Sequence, residues 1–186
     1  MRRPVALAAI ALSAALIARP GAAQECPPVP DQSARLAELF ASVQAAPDAA
    51  AARADVNAMW EIWATAPDPR AQELLDLGMQ RRAAFDLDAA TEAFDRLVAY
   101  CPHYAEGYNQ RAFVSFIRQD YGAALDDLER VMELAPDHVP AMTGLALSLM
   151  QLGRVKAGQG VLRRALRLNP WLPERSLLIG PPEKQL

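Results

Sequence analysis

Apolar residues recur at helical spacing along most of the chain and never settle into the alternation of a strand. Phe94 to Tyr100, Leu128 to Leu134 and Leu162 to Leu168 each place large side chains three and four positions apart, and a proline follows each run two residues later. Those prolines, Pro102, Pro136 and Pro170, are 34 residues apart. The same step relates Leu74 to Tyr108 and Met142, and Gly78 to Ala112 and Ala146. It also relates Ala90 to Ala124 and Gly158, and Phe94 to Leu128 and Leu162. Breaks fall in step as well, at Phe85-Asp86, Gln119-Asp120 and Gly153-Arg154. Small, large and breaker residues thus share one period, which predicts stacked helical hairpins, because a single hairpin cannot bury its apolar face alone. Proline closes each second helix since its ring cannot continue the hydrogen-bond ladder.

These columns resemble the tetratricopeptide-repeat (TPR) family, in which each unit is a helix–turn–helix. The resemblance covers residues 71–170, in units of approximately 71–104, 105–138 and 139–172, and the stretch from Ala105 to Asp137 is the closest match. It implies an all-α, right-handed α-solenoid. Arg111 and Ser115 depart from the family pattern by replacing larger apolar residues. Gly158 stands where Ala is usual, and its lower helix propensity, about 1 kcal/mol, makes the third unit the expected soft point.

Upstream, Gln32 to Ala46 and Ala49 to Ala66 read as two more helices divided by Pro47, with Met59, Ile62 and Trp63 on one stripe. Residues 32–70 are therefore expected to be a degenerate repeat or an N-terminal cap, with the proline-rich residues 24–31 as an extended lead-in. Downstream, Pro173 and the Gly180-Pro181-Pro182 run leave residues 173–186 as a short tail. In that tail and just before it, Trp171, Leu172, Leu177 and Leu178 are expected either to cap the last unit or to dock a partner or a second copy.

The first 23 residues have the order of a secretory signal. Arg2 and Arg3 precede an uncharged run from Val5 to Ala18, and Gly21-Ala22-Ala23 offers small residues before a cut. Arg19 ends the run short of the ~20 residues a membrane-spanning helix needs. Export is therefore expected, with the periplasm as the compartment of a Gram-negative cell, and no stable membrane insertion after cleavage. Removing residues 1–23 takes three arginines and no acid, so the formal charge moves from −3 to −6. An acidic body without a basic block argues against nucleic acid as a partner.

Chemistry is sparse. His103 and His138 follow different repeat prolines and read as surface-loop residues, and no ligand spacing implies a metal. No phosphate loop, nucleophile elbow or haem-attachment motif occurs, so neither catalysis nor a cofactor is expected. Asp126, Asp127 and Glu129 read as a solvated acidic face. Cys26 and Cys101 are the only cysteines. In an oxidising compartment they could pair, a closure of 75 residues worth roughly 4–5 kcal/mol in the chain-entropy account; two free thiols, with Cys101 simply packed, is the competing reading.

Binding remains. The TPR resemblance implies a concave groove lined by the first helix of each unit: Leu75, Met79 and Arg82, then Asn109, Phe113 and Phe116, then Thr143, Leu147 and Met150. Family members that bind chaperone tails grip a C-terminal carboxylate with Lys, Asn and Arg. Here the matching places hold Leu75, Met79, Gln110, Pro140 and Gly144, so that clamp is missing. The implied partner is a protein or peptide with an apolar or amphipathic segment, unless the N-terminal helices with Trp60 and Trp63, or the C-terminal tail, fill the groove. The expectation is a non-catalytic, exported adaptor. The alternatives are a structural or self-associating subunit of an envelope complex, possible as a homo-oligomer through the C-terminal end, or a periplasmic accessory chaperone.

Overall fold

The computed structural model describes residues 25–180, so the expected signal segment lies outside the described residues. Eight α-helices follow one another: α1 Ser33–Ala45, α2 Ala49–Trp63, α3 Pro69–Ala83, α4 Leu87–Tyr100, α5 Ala105–Ile117, α6 Tyr121–Leu134, α7 Val139–Gln151 and α8 Val155–Leu168. A short 3-10 turn, Pro173–Leu177, ends the described chain. No helix among these residues is long and apolar enough to cross a membrane.

Helices α3 to α8 form three hairpins, α3/α4, α5/α6 and α7/α8, stacked through α4 on α5 and α6 on α7. The first helices α3, α5 and α7 neighbour one another and form the inner layer of an α-solenoid. One turn serves all three hairpins. Phe85, Gln119 and Gly153 adopt φ of 60°, 62° and 75°, and the following amide reaches back five residues, from Asp86 to the Arg81 carbonyl, Asp120 to Ser115 and Arg154 to Leu149. This is the left-handed helix stop that satisfies the last carbonyls. Asp86 and Asp120 then cap α4 and α6 by accepting from Ala89 and Ala123 amides, whereas Arg154 gives α8 no side-chain cap.

The period-34 residues are the core between hairpins. Ala90, Phe94, Ala124, Leu128, Leu162 and Ala146 are all buried. A Cβ added at Gly158 would lie 2.6 Å from the Ala146 carbonyl oxygen, and one at Gly78 would lie 2.3 Å from the Phe94 ring. Gly158 is thus a requirement of close α7–α8 approach, a packing reason that stands beside its propensity cost. Arg111, the polar departure in the middle unit, spans two outer helices: it donates to Asp127 at 2.7 and 2.8 Å and to Asp95 at 2.7 Å. The bidentate bond to Asp127 holds the guanidinium well above its ordinary pKa. Asp127 is consequently buried, and only Asp126 and Glu129 of the acidic run face solvent as expected.

The N-terminal hairpin does not stack as another unit in line. Leu39, Phe40 and Val43 of α1 and Ala52, Met59 and Trp63 of α2 form a cluster with Val139, Leu168, Trp171 and Leu172. The α1/α2 pair therefore folds back across the inner face and meets the far end of the array. Trp171 Nε1 donates to the Val43 carbonyl at 3.0 Å, and Gln44 Nε2 to the Arg167 carbonyl at 2.9 Å. Trp171 and Leu172 serve this junction and do not plug the last unit. That end is covered by residues 177–179, where Gln159 bonds the Leu177 carbonyl and the Ile179 amide and Arg163 bonds the Ile179 carbonyl. At the other extremity Cys26 and Cys101 are joined, with Cα atoms 5.2 Å apart, so the lead-in is tied to the end of α4.

Candidate binding cavity

The folded-back hairpin turns the inner face from an open groove into a cavity of about 650 Å³ between α2, the inner helices and the C-terminal segment. Seven of the nine residues expected to line the groove lie around it: Met79, Arg82, Asn109, Phe113, Phe116, Thr143 and Leu147. Leu75 and Met150 do not. Leu75 is fully buried in the cluster of Ala71, Phe94, Leu97 and Tyr104, because α4 and the Tyr104 N-cap of α5 cover this part of α3. Met150 turns to α8, its sulfur 3.3 Å from Gln159 Nε2 and its Cγ beside Gly158. Phe116 stacks edge-on against Tyr121 at 5.3 Å and packs on the α5–α7 core. Phe113 stays 47% exposed, and Trp60 of α2, at 40%, borders the same cavity.

A buried polar chain underlies this floor. Glu106 is 1% exposed and accepts from Asn109 Nδ2 at 3.0 Å and from Gln110 Nε2. Gln110 in turn accepts from Arg82 through its side-chain oxygen, and Arg82 lies over the Phe113 ring at 4.7 Å. Burial pulls the Arg82 pKa down, against the opposing pull of Glu106. No carboxylate among the described residues forms an ion pair with Arg82.

His138 belongs to this chain of contacts and is not a loop residue at the surface. It is 1% exposed, stacks on Trp63 with ring centres 4.6 Å apart, and caps α7 by accepting from the Ala141 amide at Nδ1, 3.2 Å away. Its Nε2 stands 3.0 Å from a Glu106 oxygen, an ion-pair distance without hydrogen-bond alignment. Its position after a repeat proline suggested a loop. The missed signal was its place 34 residues after Tyr104, another aromatic N-cap position that is buried, with its hydroxyl donating to the Trp63 carbonyl at 2.8 Å. Burial raises the Tyr104 pKa, so it remains a neutral donor. His103 is exposed as expected.

Residues 116–171 match the sequence model of the tetratricopeptide repeat. Over 82 residues, 44% of this chain, the sequence is 32% identical to a TPR repeat-containing protein of Rhizobium etli, covering 40% of that protein. Over 56% of this chain it is 32% identical to tetratricopeptide repeat protein 36 of Homo sapiens, covering 58% of it. The chain thus spans about half the length of the curated relatives it matches. Among solved structures, the TPR2B domain of yeast Sti1 in complex with an Hsp70 peptide superposes with a TM-score of 0.53 at 21% identity, over 54% of this chain and 81% of that one. The chain is an all-α solenoid with the fold of tetratricopeptide-repeat domains, similar in sequence to the tetratricopeptide repeat over residues 116–171, and carries an additional helical hairpin folded across its inner face.

Proposed function

We propose that the protein is a non-catalytic, exported interaction protein that takes an apolar or amphipathic segment of another protein on the part of its inner face left open by α2. The observation that carries this reading is the pairing of two exposed aromatic rings, Phe113 and Trp60, at one cavity; large exposed aromatics are favoured anchors of protein interfaces. Solved relatives include a TPR domain in complex with an Hsp70 peptide, which supports peptide recognition by this architecture. The Cys26–Cys101 bond supports an oxidising compartment such as the periplasm. With Phe116 half-buried against the α5–α7 core, the discriminating position is the more exposed Phe113. A photoreactive phenylalanine analogue at 113 should yield a discrete protein adduct in cells, and the same analogue at the exposed turn residue Phe85 should not. Adducts at both sites, or at neither, would refute recognition through the inner face.

A second reading rests on the C-terminal end, where Leu152, Val155, Leu177 and Ile179 are all exposed. Self-association there predicts a mass that rises with concentration and falls to the monomer in Ile179→Lys. A constant monomer mass excludes it.

A further inference from the structure

Behind the rim where Phe113 and Trp60 are exposed, the cavity has an interior suited to a smaller ligand than a protein segment. Its volume, about 650 Å³, lies inside the ~300–1,000 Å³ range of small-molecule sites. Its walls are Val56, Met59, Trp60, Met79, Phe113 and Leu147, and apolar walls of this kind stabilise a ligand in proportion to the apolar area covered.

The polar residues on the lining are mostly already engaged. Thr143 donates its hydroxyl proton to the Val139 and Pro140 carbonyls, Asn109 and Gln110 donate to Glu106, and Asn169 accepts from the Trp171 amide. An extended peptide would bury amide groups here with few partners, at a cost for each. A body without polar groups meets no such penalty.

Charge then fixes the head group. Arg82 is half-buried, faces the cavity from the last turn of α3, and has only the neutral Gln110 oxygen and the Phe113 ring as direct partners. Arg53 of α2 adds a second positive group on the lining. Glu174, with one buried carboxylate oxygen lacking a hydrogen-bond partner, lines the cavity from the segment after α8. It disfavours an anion at that end, which gives the ligand a direction.

We propose that the cavity binds an acyl-chain carboxylate, its carboxylate on Arg82 and its chain running along Met79, Phe113 and Leu147 toward the C-terminal segment. This goes beyond the protein-recognition reading and does not depend on it.

All three tryptophans of the chain, Trp60, Trp63 and Trp171, line this cavity, so intrinsic fluorescence reports occupancy directly. The full chain is titrated with dodecanoate below its micellar concentration, with dodecan-1-ol, and with an acetylated trileucine acid. Dodecanoate should give a saturable change at one equivalent, and the alcohol should bind at least tenfold more weakly, as loss of a charge-assisted hydrogen bond requires. Arg82→Gln should weaken dodecanoate at least tenfold and leave the alcohol unchanged, and Arg82→Lys should recover most of the loss. A purely structural role for Arg82 would weaken acid and alcohol alike. Equal binding of acid and alcohol by the unmodified protein, which needs no variant to fold, overturns the head-group assignment. Tighter binding of the peptide acid overturns the ligand class, and no saturable change with any probe overturns the site.

Discussion

Two glycines two residues apart on α8 separate helix propensity from packing. Gly160 has nothing within 4 Å of where its Cβ would stand, whereas a Cβ on Gly158 would lie 2.6 Å from both the Ala146 carbonyl oxygen and Met150 Cγ. Replacing either by alanine gains the same propensity, about 1 kcal/mol. At Gly160 that gain should appear in full. At Gly158 the methionine tip can rotate aside, but the carbonyl belongs to the backbone of α7. Its oxygen is about 0.7 Å nearer than the ~3.3 Å at which a carbon normally meets a carbonyl oxygen, so α7 and α8 must part. Forcing a methyl group into a packed interface costs about 1–3 kcal/mol, which outweighs the propensity gain. Gly158→Ala should therefore be destabilising by about 1 kcal/mol net and Gly160→Ala stabilising by about the same amount. The assay is urea unfolding followed by far-UV circular dichroism, with the slope checked for constancy so that midpoints report stability. Midpoints that rise together in both variants would refute the claim that α7 and α8 touch at Gly158.

The left-handed turns give a prediction of opposite sign. Phe85→Gly and Gln119→Gly, at φ near 60°, should each be stabilising by about 0.5–1 kcal/mol, since Phe85 is 72% exposed and loses little contact; a fall in the unfolding midpoint would contradict the turn assignment. Replacing Cys26 and Cys101 together should cost about 2–4 kcal/mol, at or below the chain-entropy value of roughly 4.5 kcal/mol for their 75-residue separation, and an unchanged melt without reductant would contradict the tether. Asp68 is held below its ordinary pKa, first by the Tyr100 hydroxyl and then by the Ala71 amide. Its contribution is present above the unfolded carboxylate value of about 3.9 and is lost as pH falls through the lower folded value. Asp68→Asn should accordingly be less stable than the native chain at pH 7 and converge with it in acid. A constant gap between the two across that window would argue against the Asp68–Tyr100 bond.

The repeat was legible because its information is local. Residues three, four and 34 apart decide which faces meet, so Phe94, Leu128 and Leu162 announce the core and Pro102, Pro136 and Pro170 the helix ends. Although α2 ends at Trp63, three residues short of the expected Ala66, the existence of α1 and α2 and the start of α2 were legible for the same reason, with Asp48 accepting from the Ala51 amide as the N-cap after Pro47. Where that hairpin would lie was not, since its partners, Val43 with Trp171 and Gln44 with Arg167, are more than 120 residues apart in sequence and no period relates them. The groove was legible as a helical face, which is why Met79, Phe113 and Leu147 reach the cavity. Periodicity fixes the side of a helix a residue occupies and leaves open what covers that side, so Leu75, on the same face of α3, is sealed. Arg111 was visible as a departure from the apolar pattern, but the carboxylates that explain it, Asp95 and Asp127, each lie 16 residues away on flanking helices.

The junction of Val43 and Gln44 with Trp171 and Arg167 changes what kind of object the repeat array is. A linear solenoid can fray from either end and can gain or lose a unit, because each hairpin answers only to its neighbours. Here the two ends of the array are bound to each other, so the number of units is fixed by the distance the N-terminal hairpin must span. Inserting a fourth unit would separate the ends and break the bonds of Trp171 to Val43 and of Gln44 to Arg167. Closure also couples fraying at one end to the other, which favours unfolding as a single step in place of unit-by-unit melting. Lengthening the array would break this junction, so the number of units and the reach of the N-terminal hairpin are linked.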